Sequence, residues 1–285
     1  MTLRQASKHS DLIYDLGLHK GEDTNFYLAK GFRVIAFEAD PDLVQACREQ
    51  FSAELESGQL TIVEGAIVDQ PESDTITFYK NKAVTVWGTI DPVWKDRNTR
   101  MGFESVEITV PVVDLSACLE KYGIPYYMKI DIEGADRFSL QKLGEFEQRP
   151  DYVSIESSKI SLSEIDFELD ILDGLGYNHF KASQQATVTS IRAPVPAKEG
   201  KDIDLQLAHD SSGLFGKELP GAWQSRGQIR RVYRWIFVGY RVFGNDTFMR
   251  TNRFARKIWR LLQRVFKRPI PGWFDTHARH SSISD

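Results

Sequence analysis

Short apolar segments separated by helical patterns are the feature that most constrains the fold of this chain. Residues 12–15, 32–38 and 60–68 are almost continuously apolar, and stretches with helical spacing lie between them. Strands that lack polar alternation are typical of a parallel sheet whose two faces are both covered by helices. The 285-residue chain therefore predicts one large α/β domain with an appendage.

The pattern becomes irregular after residue 68. Residues 75–80 and 105–112 alternate like antiparallel strands, and the turn-rich, aromatic segment WGTIDPVWKDRNTRMG, here called the excursion, lies between them. Excursions of this length inside a domain are usually functional. Beyond it, the patterns predict helices at 114–121, 134–145 and 163–175, strands at 126–132 and 152–156, and a closing hairpin formed by 177–182 and 187–192.

The C-terminal part has a charge distribution unlike the rest. Residues 226–268 contain thirteen Lys or Arg and one acid, Asp246, a net charge of +12; the remainder carries 23 basic and 39 acidic residues, a net charge of −16. Apolar residues recur at helical spacing in this segment, with Arg and Lys on the opposite faces, which is typical of amphipathic helices. We therefore divide the chain into a domain at 1–222 and a basic helical arm with a C-terminal tail at 223–285.

Three interpretations of the arm are compatible with the sequence. The helices can pack on the body and close the site, or they can lie on an anionic membrane and reach a lipid-linked substrate. Nucleic-acid binding is disfavoured because no recognition motif accompanies the charge.

Nothing in the chain predicts export or a membrane span. The N-terminus, MTLRQASKHSD, lacks the apolar core of a signal peptide, and no run approaches the ~20 apolar residues of a span. Cys47 and Cys118 have no metal-ligand spacing, which fits reduced thiols. We expect a cytoplasmic protein, with the inner membrane surface as a candidate site of peripheral attachment through the arm.

A glycine turn follows the first predicted strand. Asp15 stands at the strand end, Gly17 and Gly21 follow, Thr24 lies in the next helix, and Glu38 ends the second strand. The pattern D-x-G-x-x-x-G lacks the G-x-G-x-x-G of dinucleotide sites and the phosphate loop of nucleotide triphosphatases. Glu38 is placed to accept ribose hydroxyls. The turn therefore suits S-adenosylmethionine, a nucleoside with a cationic tail; the alternative is that Asp15 caps a helix and Glu38 is solvated.

The second polar motif is YYMKIDIEGAD, residues 126–136. Lys129, Asp131 and Glu133 alternate along a buried strand, so they lie on one side of it. Three charges there are costly unless they are used or paired. Either they serve a reaction centre, or Lys129 and Asp131 form an ion pair that supports a loop.

Together these stretches resemble the FkbM family of S-adenosylmethionine-dependent methyltransferases. The resemblance runs in order through DLGLHKGEDT, GFRVIAFEADP, VEGAIVD, WGTIDPVWKDRN, MKIDIEGAD, VSIES, HDSSGLFG and GWFDTHARH. It implies a Rossmann-like class I methyltransferase fold: a mainly parallel seven-stranded sheet with an antiparallel last strand. It also implies methylation of a hydroxyl oxygen, on sugars, polysaccharides, glycolipids or secondary metabolites.

The resemblance carries roles onto particular positions. The implied cofactor-binding residues are Asp15, Gly17, His19, Gly21, Thr24, Glu38, Ala39, Glu64, Gly65, Ala66 and Asp131. Candidates for the general base are Asp131 and Glu156, with Glu133 third. In the excursion, Trp94, Arg97 and Asn98 are candidate substrate contacts, since aromatic rings stack on sugars and polar groups bind hydroxyls. The acids could hold Mg²⁺, but their spacing does not demand a metal, and none is predicted.

We therefore predict an O-methyltransferase, since the chain lacks the N-P-P-[YF] tetrapeptide associated with methylation of nitrogen. One alternative is a non-enzymatic membrane or complex scaffold that retains a cofactor fold. A nicotinamide-dependent oxidoreductase is less favoured because the dinucleotide turn is missing.

Overall fold

The computed structural model describes residues 2–69, 73–81, 83–132, 134–157, 161–243 and 272–283. The strands in these ranges are β1 (Lys8–Leu16), β2 (Arg33–Glu38), β3 (Leu60–Glu64), β4 (Ala66–Ile67), β5 (Thr75–Asn81), β6 (Ser105–Val113), β7 (Ile124–Ile130), β8 (Tyr152–Glu156), β9 (Tyr177–Gln184) and β10 (Phe274–His280). The helices are α1 (Glu22–Ala29), α2 (Pro41–Gln50), α3 (Ser52–Glu56), α4 (Pro92–Arg100), α5 (Leu115–Tyr122), α6 (Asp136–Leu143), α7 (Leu162–Gly174) and α8 (Arg226–Phe243).

Seven strands form one sheet in the order β3-β2-β1-β7-β8-β10-β9. The pairs β1–β2, β2–β3, β1–β7 and β7–β8 are parallel, whereas β10 is antiparallel to both β8 and β9. The predicted seven-stranded, mainly parallel sheet with an antiparallel last strand is therefore confirmed.

The central strand β1 is buried on both faces. Leu12, Tyr14 and Leu16 belong to one buried apolar cluster, and Ile13 belongs to a second cluster on the opposite face of the sheet. All four side chains have 0 % exposure. This double burial is the physical reason that the strand reads as a continuous apolar run rather than as an alternating one.

A glycine divides the third predicted strand into two. Gly65 has φ 138°, and a Cβ atom added there would lie 2.6 Å from the carbonyl oxygen of Pro111. β3 therefore stops before Gly65, and β4 joins a separate three-stranded sheet of order β4-β6-β5. β5 and β6 are antiparallel, as their alternation predicts.

The predicted hairpin of 177–182 with 187–192 is wrong. β9 pairs with β10, for example Ala278 beside Phe180, and residues Gln185–Ser190 form a 3₁₀ helix. Alternation of polar and apolar residues shows only that a strand has two different faces and does not identify its partner strand. The strand that forms the backbone hydrogen bonds with β9 lies almost a hundred residues further along the chain.

The excursion contains the helix α4, although the segment is rich in residues that are typical of turns. Asp91 caps α4 by accepting a hydrogen bond from the amide of Val93, and Pro92 occupies the first helical turn. Both residue types are typical of helix starts.

α8, the first part of the basic arm, packs on the body. Ile229 and Tyr233 are buried in the core cluster that contains Leu12. The hydroxyl of Tyr233 lies 2.6 Å from both Ser157 Oγ and Thr276 Oγ1. Residues 244–271 of the arm lie outside the described residues, and the division at residue 222 stays a prediction. No helix in the described ranges is long and apolar enough to cross a membrane.

Candidate cofactor and active site

A cleft with about 890 Å³ of empty space, including the part that is open to solvent, lies over the carboxyl ends of β1, β2 and β7 and beside the Gly65 break. This is the edge at which open α/β sheets bind ligands.

The glycine turn brings backbone directly into this cleft. Gly17 has φ 97°, and a Cβ atom there would lie 2.0 Å from the carbonyl oxygen of Asp131. The amides of Gly17 and Leu18 both donate to the carbonyl oxygen of Phe37, at 3.1 and 2.9 Å. The turn is thus clamped between β2 and β7, and only glycine fits at position 17.

His19 joins the turn to the 3₁₀ helix Thr85–Trp87, at the start of the excursion. Its φ is 51°, a conformation in which Asn and His are enriched among residues other than glycine. Nδ1 lies 3.2 Å from Glu22 Oε1, and Nε2 lies 2.8 Å from Thr85 Oγ1. Burial by itself would raise the pKa of Glu22, but hydrogen bonds from His19 and from backbone amides hold that pKa below its usual range. His19 is therefore a bridge that also lines the cleft.

Glu38 lines the cleft with a carboxylate that is held in place by the backbone. Oε1 accepts the amides of Ala39 and Asp40, both at 2.9 Å, and Oε2 accepts the amide of His19 at 2.8 Å. Burial raises the pKa of Glu38 despite these hydrogen bonds. A carboxylate has about four acceptor positions, so the three amides leave capacity for a ligand hydroxyl.

The wall beyond Glu38 is apolar. Gly65, Ala66, Ile67 and Phe78 line it, and this surface suits a flat heterocycle. Glu64 is not among the described lining residues, because its carboxylate turns to Arg48, 3.0 Å away.

The opposite end of the cleft is charged and is organised by Lys129. Its Nζ donates to the carbonyl oxygen of Gly17 at 2.9 Å and to Asp15 Oδ1 at 3.1 Å, and lies 3.4 Å from Asp23 Oδ2 and 3.8 Å from Asp131 Oδ2. Burial by itself would lower the pKa of Lys129, but the three carboxylates outweigh it, so the pKa stands well above its usual value. The pairing of Lys129 is thus broader than a Lys129–Asp131 ion pair, and Asp131 is its most distant partner.

Asp15 and Thr24 lie beneath the cleft. Asp15 is fully buried and accepts a hydrogen bond from Thr24 Oγ1 at 2.7 Å in addition to the one from Lys129. Neither side chain is among the described residues that line the cleft. Gly21, also absent from that lining, caps α1 with φ 80°. These three residues support the turn from below.

Asp23 is a lining residue that the sequence reasoning missed. It is buried and accepts the amide of Ser212 at 2.9 and 3.0 Å, while Asp210 lines the same end of the cleft. Burial, followed by repulsion from Asp15, raises the pKa of Asp23 to about 6, although Lys129 opposes the shift. The available signals were an acid directly before Thr24 and the motif HDSSGLFG, but no local pattern links the two.

Asp131 lines the cleft at the end of β7, and its side chain is 41 % exposed. Ile130 of β7 lies beside Ile155 of β8, so Asp131 and Glu156 follow at the ends of neighbouring strands. Glu156 faces Asp275 of β10 in the sheet and is not among the described lining residues. Glu133 lies outside the described residues.

The predicted substrate contacts in the excursion divide in two. Trp94 approaches the loop after β7, with its ring 3.4 Å from the position of a Cβ atom on Gly134, and Arg97 stacks over it at 4.5 Å. Asn98 is 2 % exposed and donates to the carbonyl oxygen of Trp87 at 3.4 Å. Asn98 therefore stabilises the excursion and faces its interior.

The sheet order and this cleft define the class I methyltransferase fold. The family model "Methyltransferase FkbM domain" matches residues 15–179, more than half of the chain. The protein therefore belongs to the FkbM methyltransferase family, as its motifs indicate, and the cofactor of this family is S-adenosylmethionine.

Three solved structures that are similar to this chain cover between 58 % and 63 % of it. FkbM methyltransferase from Methylobacillus flagellatus KT is 18 % identical, with a TM-score of 0.38, over 58 % of this chain and 38 % of that one. Precorrin-6y C5,15-methyltransferase from Geobacter metallireducens GS-15 is 11 % identical, with a TM-score of 0.33, over 62 % and 69 %. A protein of Streptococcus mutans assigned as a methyltransferase, in complex with SAH, is 14 % identical, with a TM-score of 0.32, over 63 % and 80 %.

The match to the Methylobacillus protein thus spans little more than a third of that protein's length. No sequence among curated proteins matches this chain.

The residues that line the cleft have the chemistry that S-adenosylmethionine requires. The apolar wall at Ala66 and Phe78 suits adenine, and Glu38 retains capacity for ribose hydroxyls. At the other end, Gly17, Asp23 and Lys129 line the part of the cleft that is left for the methionine portion.

Proposed function

We propose that this protein is an O-methyltransferase that acts on a hydroxyl group of a sugar, a polysaccharide, a glycolipid or a secondary metabolite. The observation that carries the proposal is the position of Asp131, a partly exposed carboxylate at the mouth of the cleft and at the end of β7. The absence of N-P-P-[YF] from the chain supports oxygen as the acceptor atom.

The chemistry requires positioning and one proton acceptor. When bound, S-adenosylmethionine supplies an electrophilic methyl group, and its transfer forms a C–O bond and breaks a C–S bond. An alcohol is a weak nucleophile unless a base takes its proton as it reacts. Asp131 accepts that proton, and Lys129, 3.8 Å away, holds a compensating positive charge beside it.

The remaining residues of the cleft position the reactants, a contribution that can supply much of the rate. Glu38 orients the ribose, and the apolar wall excludes water from the adenine. Trp94, with Arg97 stacked on it, lies over the loop after β7 and supports a contact with a sugar acceptor.

The identity of the acceptor is tested by transfer of tritiated methyl groups into a lysate separated into glycan, lipid and small-molecule fractions. With the wild-type protein we expect label in one of these fractions: the glycan or lipid fraction for a polysaccharide or glycolipid acceptor, and the small-molecule fraction for a sugar or secondary metabolite. Cofactor binding without transfer to any fraction would instead support a scaffold with a retained cofactor fold.

The role of Asp131 is tested by Asp131→Asn, with Glu156→Gln as the matched substitution on the neighbouring strand. Asp131→Asn should lower turnover by roughly 10²-fold or more, the usual scale for a lost general base, with cofactor affinity nearly unchanged. Normal turnover in Asp131→Asn together with a large loss in Glu156→Gln would move the role to Glu156.

Glu38→Gln tests the ribose assignment. The amide retains the shape of the side chain but cannot accept all the amide hydrogen bonds of the turn and also a ribose hydroxyl. We expect cofactor affinity, measured by calorimetry, to fall at least tenfold, the scale of one lost hydrogen bond to a charged group. Equal affinity of the variant and the wild type would contradict the assignment.

A further inference from the structure

The outer face of α8 carries an exposed stripe of basic and apolar residues. Arg231, Arg234, Trp235, Val238 and Arg241 are all exposed, and their spacing of three and four places them on one side of the helix. Trp235 is 76 % exposed and Val238 is 47 % exposed. These five residues are called the α8 stripe below.

The charge of the stripe is directed away from the body. On the inner flank of α8, Arg226 and Arg230 form salt bridges with Asp170 and Asp166 of α7. Within the described ranges, the three arginines of the stripe form no salt bridge. The helix thus pairs the charge on its inner flank and leaves the stripe arginines without a salt bridge, although Arg234, together with Arg230 and Arg226, lowers the pKa of Asp166.

An exposed tryptophan between arginines is an uncommon solvent face. Trp235 is the most exposed of the large apolar side chains described, and tryptophan between cationic side chains is typical of the boundary between water and lipid. A groove beside the stripe, lined by Leu162 and Phe237 with Arg234 and Arg241, adds an apolar floor with a cationic rim.

We propose that the α8 stripe docks the protein on an anionic phospholipid bilayer. The broad apolar face of α8 is occupied by the protein core, where Ile229 and Tyr233 are buried. Among the side chains of α8 that the structure describes, the exposed large apolar ones, which can enter the lipid, are Trp235 and Val238. Attachment is therefore shallow, reversible and dependent mainly on charge, since each basic residue near an anionic surface contributes modestly.

The placement of α8 relates this contact to the cleft. Tyr240, near the end of the helix, donates a hydrogen bond to the carbonyl oxygen of Gly272 at 2.9 Å. Burial, and then the negative charge of Glu156, the last residue of β8, raise the pKa of the Tyr240 phenol. The carboxyl end of α8 thus lies at the same edge of the sheet as the cleft. Docking brings that edge to the bilayer, where a lipid-linked acceptor would be found.

The proposal is tested by co-sedimentation of the full chain with vesicles, without cofactor or acceptor, so the result is independent of methyl transfer. We expect binding to phosphatidylcholine vesicles that contain phosphatidylglycerol, little binding to phosphatidylcholine alone, and loss of binding as salt is raised. Failure to bind the anionic vesicles at low salt would overturn the proposal, as would retention by a nucleic-acid duplex but not by vesicles.

Two variants localise the contact. Arg231→Gln with Arg234→Gln should weaken binding roughly 10- to 30-fold. Lys121→Gln with Lys198→Gln removes the same charge from exposed positions outside the stripe, and should change binding by less than about threefold. Equal losses in the two double variants, or no loss in either, would show that the stripe is not the contact.

Trp235→Phe tests whether this side chain enters the lipid, which binding by charge alone would not require. Brominated lipid quenches tryptophan that enters the bilayer, so quenching of the wild-type fluorescence should be larger than that of the Phe variant at equal bound fraction. Equal quenching of the two proteins would place Trp235 away from the lipid and contradict the proposal.

Discussion

At the scale of single residues, backbone conformation decides much of the site. Gly17 has a positive φ and lies close to the carbonyl oxygen of Asp131. A side chain at this position would therefore be disfavoured both by the backbone conformation and by a steric clash. Gly58 also has a positive φ, 74°, but a Cβ atom there would meet nothing within 4 Å. A comparison of substitutions at Gly17 and Gly58 therefore separates the cost of the backbone conformation from the cost of the steric clash.

Gly17→Ala should therefore cost more stability than Gly58→Ala. A side chain at positive φ costs about 1–2 kcal/mol, and displacement of packed backbone adds about 1–3 kcal/mol. We expect urea unfolding to show both effects for Gly17→Ala and only the first for Gly58→Ala. Calorimetry should show weaker cofactor binding for Gly17→Ala alone. Equal effects of the two substitutions on stability and affinity would contradict the clamped turn.

At the scale of elements, α8 has one face in the protein core and the opposite face exposed to solvent. Its inner face belongs to the main core, with Ile229 fully buried, whereas Val238 on the outer stripe is 47 % exposed. Residues 226–243 thus lie between the core and an exposed outer surface.

Ile229→Ala should destabilise the protein by about 2–5 kcal/mol, because it deletes buried methyl groups. Val238→Ala removes apolar atoms from the exposed side of the same helix and should stay within about 0.5 kcal/mol of the wild type. Chemical denaturation measures both. If the two substitutions had similar effects, α8 would not be an integral part of the core.

At the scale of the whole molecule, the half-buried carboxylate of Asp136 links stability to pH. Asp136 accepts the amides of Ile132 and Gly134, at 3.1 and 3.2 Å, beside the carboxyl edge of the sheet. Burial first, and then the charges of Asp131 and Glu156, raise the pKa of Asp136 from 3.8 to about 6.

The sign of the effect follows from proton binding. Between about pH 4 and pH 6 the folded protein keeps a proton on Asp136 that the unfolded chain releases, so the contribution of this group to stability falls as pH rises. Asp136→Asn does not titrate. The unfolding free energy of the wild type minus that of Asp136→Asn should therefore fall by about 1–3 kcal/mol between pH 4 and pH 7. A difference independent of pH would contradict the raised pKa.

Much of this architecture is encoded locally and is predictable from the sequence. Apolar continuity marks β1 and β2 as buried on both faces, the glycine turn and Glu38 mark the ligand edge, and alternation marks β5 and β6 as antiparallel. Each signal depends on residues that are adjacent along the chain, so side-chain chemistry and backbone preference are enough to reveal it.

What only the tertiary structure decided depends on partners far apart in the chain. β9 takes β10 as its neighbour in place of the predicted hairpin, Asp23 holds the amide of Ser212, and Lys129 gathers three carboxylates that include Asp15. The sequence itself determined a mainly parallel α/β sheet, the family and the glycine turn at the carboxyl edge of the sheet. Which charged groups meet at that edge was decided by folding, because pairing energies depend on distance and burial and leave no periodic trace in the sequence.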